Sequence, residues 1–269
     1  MPGLPEGSTF VQMRLWLLVT LGLAMAASPL AGQGTTDAGD AYAGYAALLS
    51  RYVDDGQVNY ARWRVDDPPA WRRFLAWLES AEPSSWPAAE QRAFWINAYN
   101  ARVIAGVLRR YPIESVRDVG FVGGRVRGFF DRREHPVAGR MRTLDGIEKE
   151  ILLEQPLWDP RIHWALSCGS RGCPWLRPEP YLGDRLDTQL DFQARTFLNS
   201  PNGNRLDRDS RILYLTSIFD WYKDDFVRAA GSVRAYAAQY LTGAATEAAQ
   251  DDSYRIDYLD YDWSLNDTR

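Results

Sequence analysis

The chain is short of the side chains that most often carry chemistry. Its 269 residues hold two cysteines, Cys168 and Cys173, two histidines, His135 and His163, and two lysines, Lys149 and Lys223. A structural zinc module brings its ligands as two pairs, and the second pair is missing here. No second run of about 18 apolar residues follows the one near the start, so the mature chain is expected to have no transmembrane segment. Repeats are absent, and nothing resembles a linker between domains. An excess of positive charge is lacking too: the net charge is −4, which gives no argument for nucleic acid or an acidic membrane surface as a partner. The bases are nearly all arginine, a compositional habit more than a design for phosphate.

What is present begins with a leader. Arg14 precedes the apolar run Leu15 to Ala27, "LWLLVTLGLAMAA", with Ala24-Met25-Ala26 and then Ser28-Pro29. This pattern reads as a secretory signal peptide over residues 1–31, started at Met1 or Met13, and it implies a periplasmic or secreted protein. No cysteine lies near the cleavage region, so a lipoprotein anchor is not expected. Removing the leader takes one acid, Glu6, and one base, Arg14, and leaves the net charge at −4. Residues 32–40, "GQGTTDAGD", read as a flexible leader, and residues 41–269 as one domain. With 13% aromatic residues and eleven tryptophans, that domain can bury a sizeable core.

Helical spacing recurs at 41–53, in "PAWRRFLAWLES" and in "AAEQRAFWINAYNARVIAGVLRRYP". The last places Asn97 and Asn100 inside an apolar stripe with Ala93, Ile104 and Val107. Buried amides need partners. In "MRTLDGIEKEILLEQP" Thr143 is an N-cap candidate with Asp145 and Glu148 near the helix start. "RIHWALSC" alternates and predicts a strand. Residues 186–200 predict a helix, 203–216 a hairpin, and 217–241 helix again. Without regular βαβ alternation, the fold class expected is α+β: a predominantly helical single domain with a few short strands.

Several segments together carry a resemblance: "FWINAYNARV", the pair Phe129-Phe130, "LDGIE", "DPRIHWALSCGSRGCPWLRPEPY", "FLNSPNG", "SIFDWYKDDF" and "YDWSLN". From about residue 41 onward the chain resembles the domain-of-unknown-function 547 family, whose domains occur in exported bacterial proteins and in plant proteins beside a coiled coil. The resemblance implies no particular reaction. Where that family often has Ile-Glu-His, this chain has Ile147-Glu148-Lys149, so a histidine acting at that place elsewhere has no counterpart here. Plant relatives keep a similar cysteine pair in reducing compartments, which implies more than an oxidative role for it.

The candidate site is drawn from Cys168, Cys173, His163, Asn97, Asn100 and Glu148. A thiolate at Cys168 or Cys173, a histidine base and a carboxamide form the division of labour of thiol hydrolases and transferases. In an extended strand His163 and Cys168 would stand about 16 Å apart on opposite faces, so a turn is needed between them. His135 is the other possible base. Cys168, Cys173, His163 and Glu148 could also supply four zinc ligands, but Cys-x4-Cys is a loose spacing; no cofactor is expected. The alternative is a disulfide: "CGSRGC" has two glycines to turn the chain and bring the sulfurs together. Asn97 and Asn100 then cap a neighbouring loop, Asp220, Asp224 and Asp225 form an acidic rim, and "YDWSLN" docks on the core. Two functions of different class follow. One is a thiol-centred enzyme acting on a small-molecule or envelope substrate, the other a noncatalytic binding or scaffolding domain with a stapled Cys168–Cys173 loop.

Overall fold

A computed structural model describes residues 33–122, 125–126 and 128–268, so the segment read as a signal peptide lies outside the described residues. Helix α1 (Gln33–Tyr52) runs through most of the stretch expected to be a flexible leader. That stretch contains no proline and passes unbroken into an alanine-rich segment, and extending an existing helix costs little per residue. Its buried face, Tyr45, Leu48, Leu49 and Tyr52, lies on α3 (Pro69–Ser80), where Tyr45 stacks on Phe74 with ring centroids 4.1 Å apart. The connection holds the two-residue strands β1 (Val53–Asp54) and β2 (Gln57–Val58) and the helix α2 (Tyr60–Asp66), capped by the Asn59 side chain accepting from the Arg62 amide.

Helix α4 (Ala88–Arg110) is the central element, buried without interruption from Ala93 to Val107. A helix buried all round needs neighbours on every side, and the rest of the chain supplies them. Beyond it come two small hairpins, β3 (Phe121–Val122) with β4 (Arg125–Val126) and β5 (His135–Val137) with β6 (Arg140–Arg142). The short helix α5 (Leu144–Ile147) begins where Thr143 Oγ1 accepts from the Gly146 amide at 2.8 Å, and continues as a π-helical turn over Glu148–Leu152. Thr143→Ala is expected to cost about 1 kcal/mol and to lower the thermal midpoint by about 2–4 °C in a calorimetric scan.

"RIHWALSC" is not a strand. Residues Ile162–Ala165 form a single helical turn, α6, because both ends of the segment are fixed by tertiary hydrogen bonds that override its alternating pattern. Helix α7 (Leu186–Leu198) precedes the hairpin of β7 (Asn204–Asp207) and β8 (Ile212–Leu215), paired from Asn204–Leu215 to Asp207–Ile212. The segment expected to be one helical stretch over 217–241 is broken into α8 (Ile218–Trp221), α9 (Lys223–Ala230) and α10 (Val233–Ala238). The break after α9 falls at Gly231, whose φ of 81° ends the helix. Helix α11 (Gly243–Gln250) leads to β9 (Arg255–Tyr258), which adds to β8 in parallel. The fold is a single α+β domain, predominantly helical with a few short strands in small sheets.

The apolar side chains form two clusters. One gathers α1 to α5 with the first half of α7; the other gathers the second half of α7 and α8 to α11 with β8. Helix α6 joins them, sending Ile162 and Ala165 into the first and Trp164 into the second, where its ring lies 5.3 Å from Phe226. No helix among the described residues is long and apolar enough to cross a membrane.

Candidate functional site

The site is organised by α4. Asn97 donates from Nδ2 to the Tyr181 carbonyl at 2.7 Å and accepts the Tyr181 amide on Oδ1 at 2.9 Å. One turn on, Asn100 donates to the Ala165 carbonyl at 3.0 Å and accepts the Ser167 amide at 2.8 Å. Each buried amide therefore behaves like a piece of backbone, clamping one end of the segment 165–181 to the central helix. Neither lines the pocket described below.

Between the clamps, Cys168 and Cys173 are joined by a disulfide, with 2.03 Å between sulfurs and 6.0 Å between α-carbons. The turn is possible because Gly169 has a φ of 84°, and because a β-carbon on Gly172 would sit 2.9 Å from the Asp262 amide nitrogen. The C-terminal segment grips the same turn: the Arg171 amide donates to the Ser264 carbonyl, the Gly172 amide to the Asp262 carbonyl, and the Asn266 amide to the Gly169 carbonyl. As expected from its aromatic and amide content, "YDWSLN" is docked, with Leu265 and Asn266 buried. A disulfide across so short a loop constrains the unfolded chain by only about 2 kcal/mol.

Cys168 and Cys173 face a pocket of about 210 Å³, and the same walls carry Glu148, His163, Tyr222, Tyr261, Trp221 and Trp263. Four of the six sequence candidates thus share one concavity, while Asn100 holds the backbone on either side of its lining residue Leu166 and Asn97 holds the segment farther on, at Tyr181. A larger cleft of about 550 Å³ near Trp95, Arg142 and Glu154 contains none of them. His135 is elsewhere, fully buried on β5.

His163 Nε2 lies 2.9 Å from Asp225 Oδ2. Burial pushes the Asp225 carboxyl up, but the hydrogen bonds from His163 and from the Trp158 indole outweigh it and hold the group below its usual value. An ionised Asp225 only accepts, so the proton of this hydrogen bond sits on Nε2 and the aspartate fixes the ring's orientation. The other titratable wall is Glu148. Burial raises its carboxyl above the ordinary range, and the hydrogen bond donated by Tyr222, together with the nearby His163, offsets this only in part. The tyrosine ring itself lies 4.1 Å from the imidazole. A carboxyl raised by burial and a histidine oriented by an aspartate place two groups able to exchange protons on one wall. Lys149, next to Glu148 in the chain, is tied to Asp145 at 2.9 Å.

Both cysteine sulfurs are bonded to each other and no thiolate is left to coordinate, and the described residues contain no group of three or more histidine, cysteine or acidic side chains placed to hold a metal ion. Sequence reasoning singled out Cys168, His163 and Glu148 but took Asp225 for part of a solvated rim. Tyr222, Trp221, Tyr261 and Trp263 stood in segments noticed for their rings and acids, "SIFDWYKDDF" and "YDWSLN", yet nothing local pointed them at the cysteines.

No curated protein and no solved structure matches the chain. A family model does match, over residues 83–198. The matched span carries Asn97, Asn100, Glu148, His163, Cys168 and Cys173, while Asp225, Tyr222, Tyr261 and Trp263 are contributed from beyond it. That match supports assigning residues 83–198 to the domain family described as a protein of unknown function, DUF547.

Proposed function

We propose that this domain is a binding module, exported by its apolar leader, whose disulfide-closed loop presents an aromatic pocket to a small ligand or to a flat group on an envelope partner. The observation that carries this reading is the Cys168–Cys173 bond at the pocket wall: a sulfur already bonded to sulfur is not a thiolate nucleophile. What remains at the wall suits recognition. Trp221 and Trp263 stack with centroids 5.8 Å apart, Tyr261 packs on both, and Trp221 is 47% exposed. Rings of this kind give contact area at low entropic cost, and Glu148 with His163 adds two polar groups to fix orientation.

The expected result is that the purified chain has no free thiol before reduction, and that ligands with a flat face quench its tryptophan fluorescence saturably. Trp221→Ala together with Trp263→Ala should abolish that saturation while leaving the far-ultraviolet circular dichroism in place. Two titratable thiols in the unreduced protein would overturn the reading. One arrangement favours a second reading: His163, oriented by Asp225, stands in the same pocket as Cys168. After reduction these groups have the composition of a thiol hydrolase or transferase site. Acylation of Cys168 by an activated ester, seen only after reduction and lost in His163→Gln, is the result that supports it.

A further inference from the structure

The two sulfurs of the disulfide are not equivalent. Cys168 is half-buried on the pocket wall, while Cys173 is 4% exposed. A backbone donor singles out the inner one: the Cys168 amide lies 2.8 Å from Cys173 Sγ. The Tyr261 hydroxyl stands between the sulfurs, 3.1 Å from Cys173 Sγ and 3.2 Å from Cys168 Sγ, and Ser170 Oγ is 3.0 Å from Cys168 Sγ. Ser170 Oγ lies 3.1 Å from the Tyr261 oxygen, so the phenol is held over the sulfur pair and is free to donate to whichever sulfur carries charge. A disulfide sulfur is a weak acceptor, and a fixed amide donor beside one, with a phenol in reach, is worth more when that sulfur carries a negative charge. The loop does not need the bond for its shape. Asn100 holds it at Ala165 and Ser167, and three backbone hydrogen bonds from residues 169–172 hold it to the C-terminal segment. Its geometry is therefore retained when the sulfurs part.

We propose that Cys168–Cys173 is a thiol–disulfide exchange centre opened from the pocket, in which an incoming thiolate takes Cys168 and Cys173 departs. The inference stands apart from the binding reading, since it needs only the sulfurs, their two donors and an approach. The co-reactant is a small-molecule or peptidyl thiol, RSH. Its thiolate attacks Cys168 Sγ, a mixed disulfide R–S–S–Cys168 forms, the bond between the protein sulfurs breaks, and the electron pair leaves on Cys173. There the Cys168 amide and the Tyr261 hydroxyl receive the charge. A second thiolate attacks the R sulfur of the mixed disulfide, forming RSSR and releasing Cys168 as a thiolate. Overall two RSH become RSSR and the protein disulfide becomes a dithiol; run backwards, the same centre oxidises a dithiol.

The attacked sulfur can be read directly. The full oxidised chain is treated with glutathione, quenched with acid and N-ethylmaleimide, and mapped by mass spectrometry. Glutathione is expected on Cys168 and maleimide on Cys173, at about ten to one over the reverse. Adducts mainly on Cys173, or none until denaturant is added, would overturn the proposal. The single-cysteine variants give a second measure that does not depend on trapping. Cys173→Ser should take a glutathionyl group from glutathione disulfide about tenfold faster than Cys168→Ser, and equal rates would defeat the asymmetry. Tyr261→Phe should slow opening of the disulfide about threefold to tenfold and raise the pH at which Cys173 is alkylated after reduction. An unchanged rate and an unchanged alkylation profile would remove Cys173 as the leaving sulfur. Tryptophan quenching by a pocket ligand, measured on the oxidised protein, reports the binding reading separately.

Discussion

An Asn100→Leu chain is expected to lose about 3–5 kcal/mol of stability, read as a fall in the urea midpoint with the slope unchanged. Leucine matches asparagine in length but neither donates nor accepts. The substitution strands the Ala165 carbonyl and the Ser167 amide in a buried place, and each orphaned group costs about 1–3 kcal/mol. A domain with about 5–15 kcal/mol in total is brought near its limit. Asn97→Leu strands the Tyr181 carbonyl and amide in the same way, but it acts at the far end of the clamped segment. Reductive opening of the disulfide should therefore speed up in the Asn100 variant more than in the Asn97 variant. A loss below about 1 kcal/mol for Asn100→Leu would mean that water can replace the amide, and the clamp would then be no clamp.

Acid should destabilise the protein through His135. The imidazole is fully buried and neither ring nitrogen has a hydrogen-bond partner. Burial pulls its pKa down from 6.5 to about 4, helped by Arg109, Arg102 and Arg110 on α4 and opposed by Glu134, whose Oε1 is 3.9 Å from Nε2. That carboxylate is itself engaged by Arg109 and Arg110. The folded state then binds fewer protons than the unfolded chain between those two values. Stability is whole above about pH 6.5 and drains as the pH falls toward 4, by about 3 kcal/mol in all. Urea titrations at a series of pH values should show this limb in the parent and its absence in His135→Leu. Parallel limbs in the two proteins would show that His135 does not set it. Glu148 has the opposite sign. Its carboxyl is raised in the fold, so it favours the folded state at low pH and withdraws that support as the pH climbs through the raised value.

Some of this could be read from the chain and some could not, for definite reasons. The stripe containing Asn97 and Asn100 is legible because α4 is long and its period sustained over 23 residues. The hairpin over 204–215 is legible because alternation and a turn-rich "DRDS" coincide. Helix α6 is not, since four residues hold too little of a 3.6-residue period to oppose an alternating pattern, and its helical turn is imposed by what the segment packs between. The break at Gly231 carried its own signal in an isolated glycine, submerged in a run of helix formers. The pairing of His163 with Asp225 spans 62 residues and answers to no local rule; an acid in a cluster of three looks like surface until something basic is laid against it. The pocket repeats the lesson, because its sulfur wall comes from Cys168 and Cys173 and its aromatic wall from Trp221, Tyr222, Tyr261 and Trp263, far along the chain.

The bridge between Val58 and Asp267, with Ser170 paired to Leu265 and Ser115 to Ser264, places the last residues of the sequence beneath elements made long before them. During synthesis, early elements can collapse as they emerge, but the Arg171 and Gly172 amides of the sulfur turn wait for the carbonyls of Ser264 and Asp262. The concavity is thus finished after translation of this segment and not during it. Until then Cys168 and Cys173 stand among unclosed partners, open to whichever oxidant or foreign thiol reaches them first.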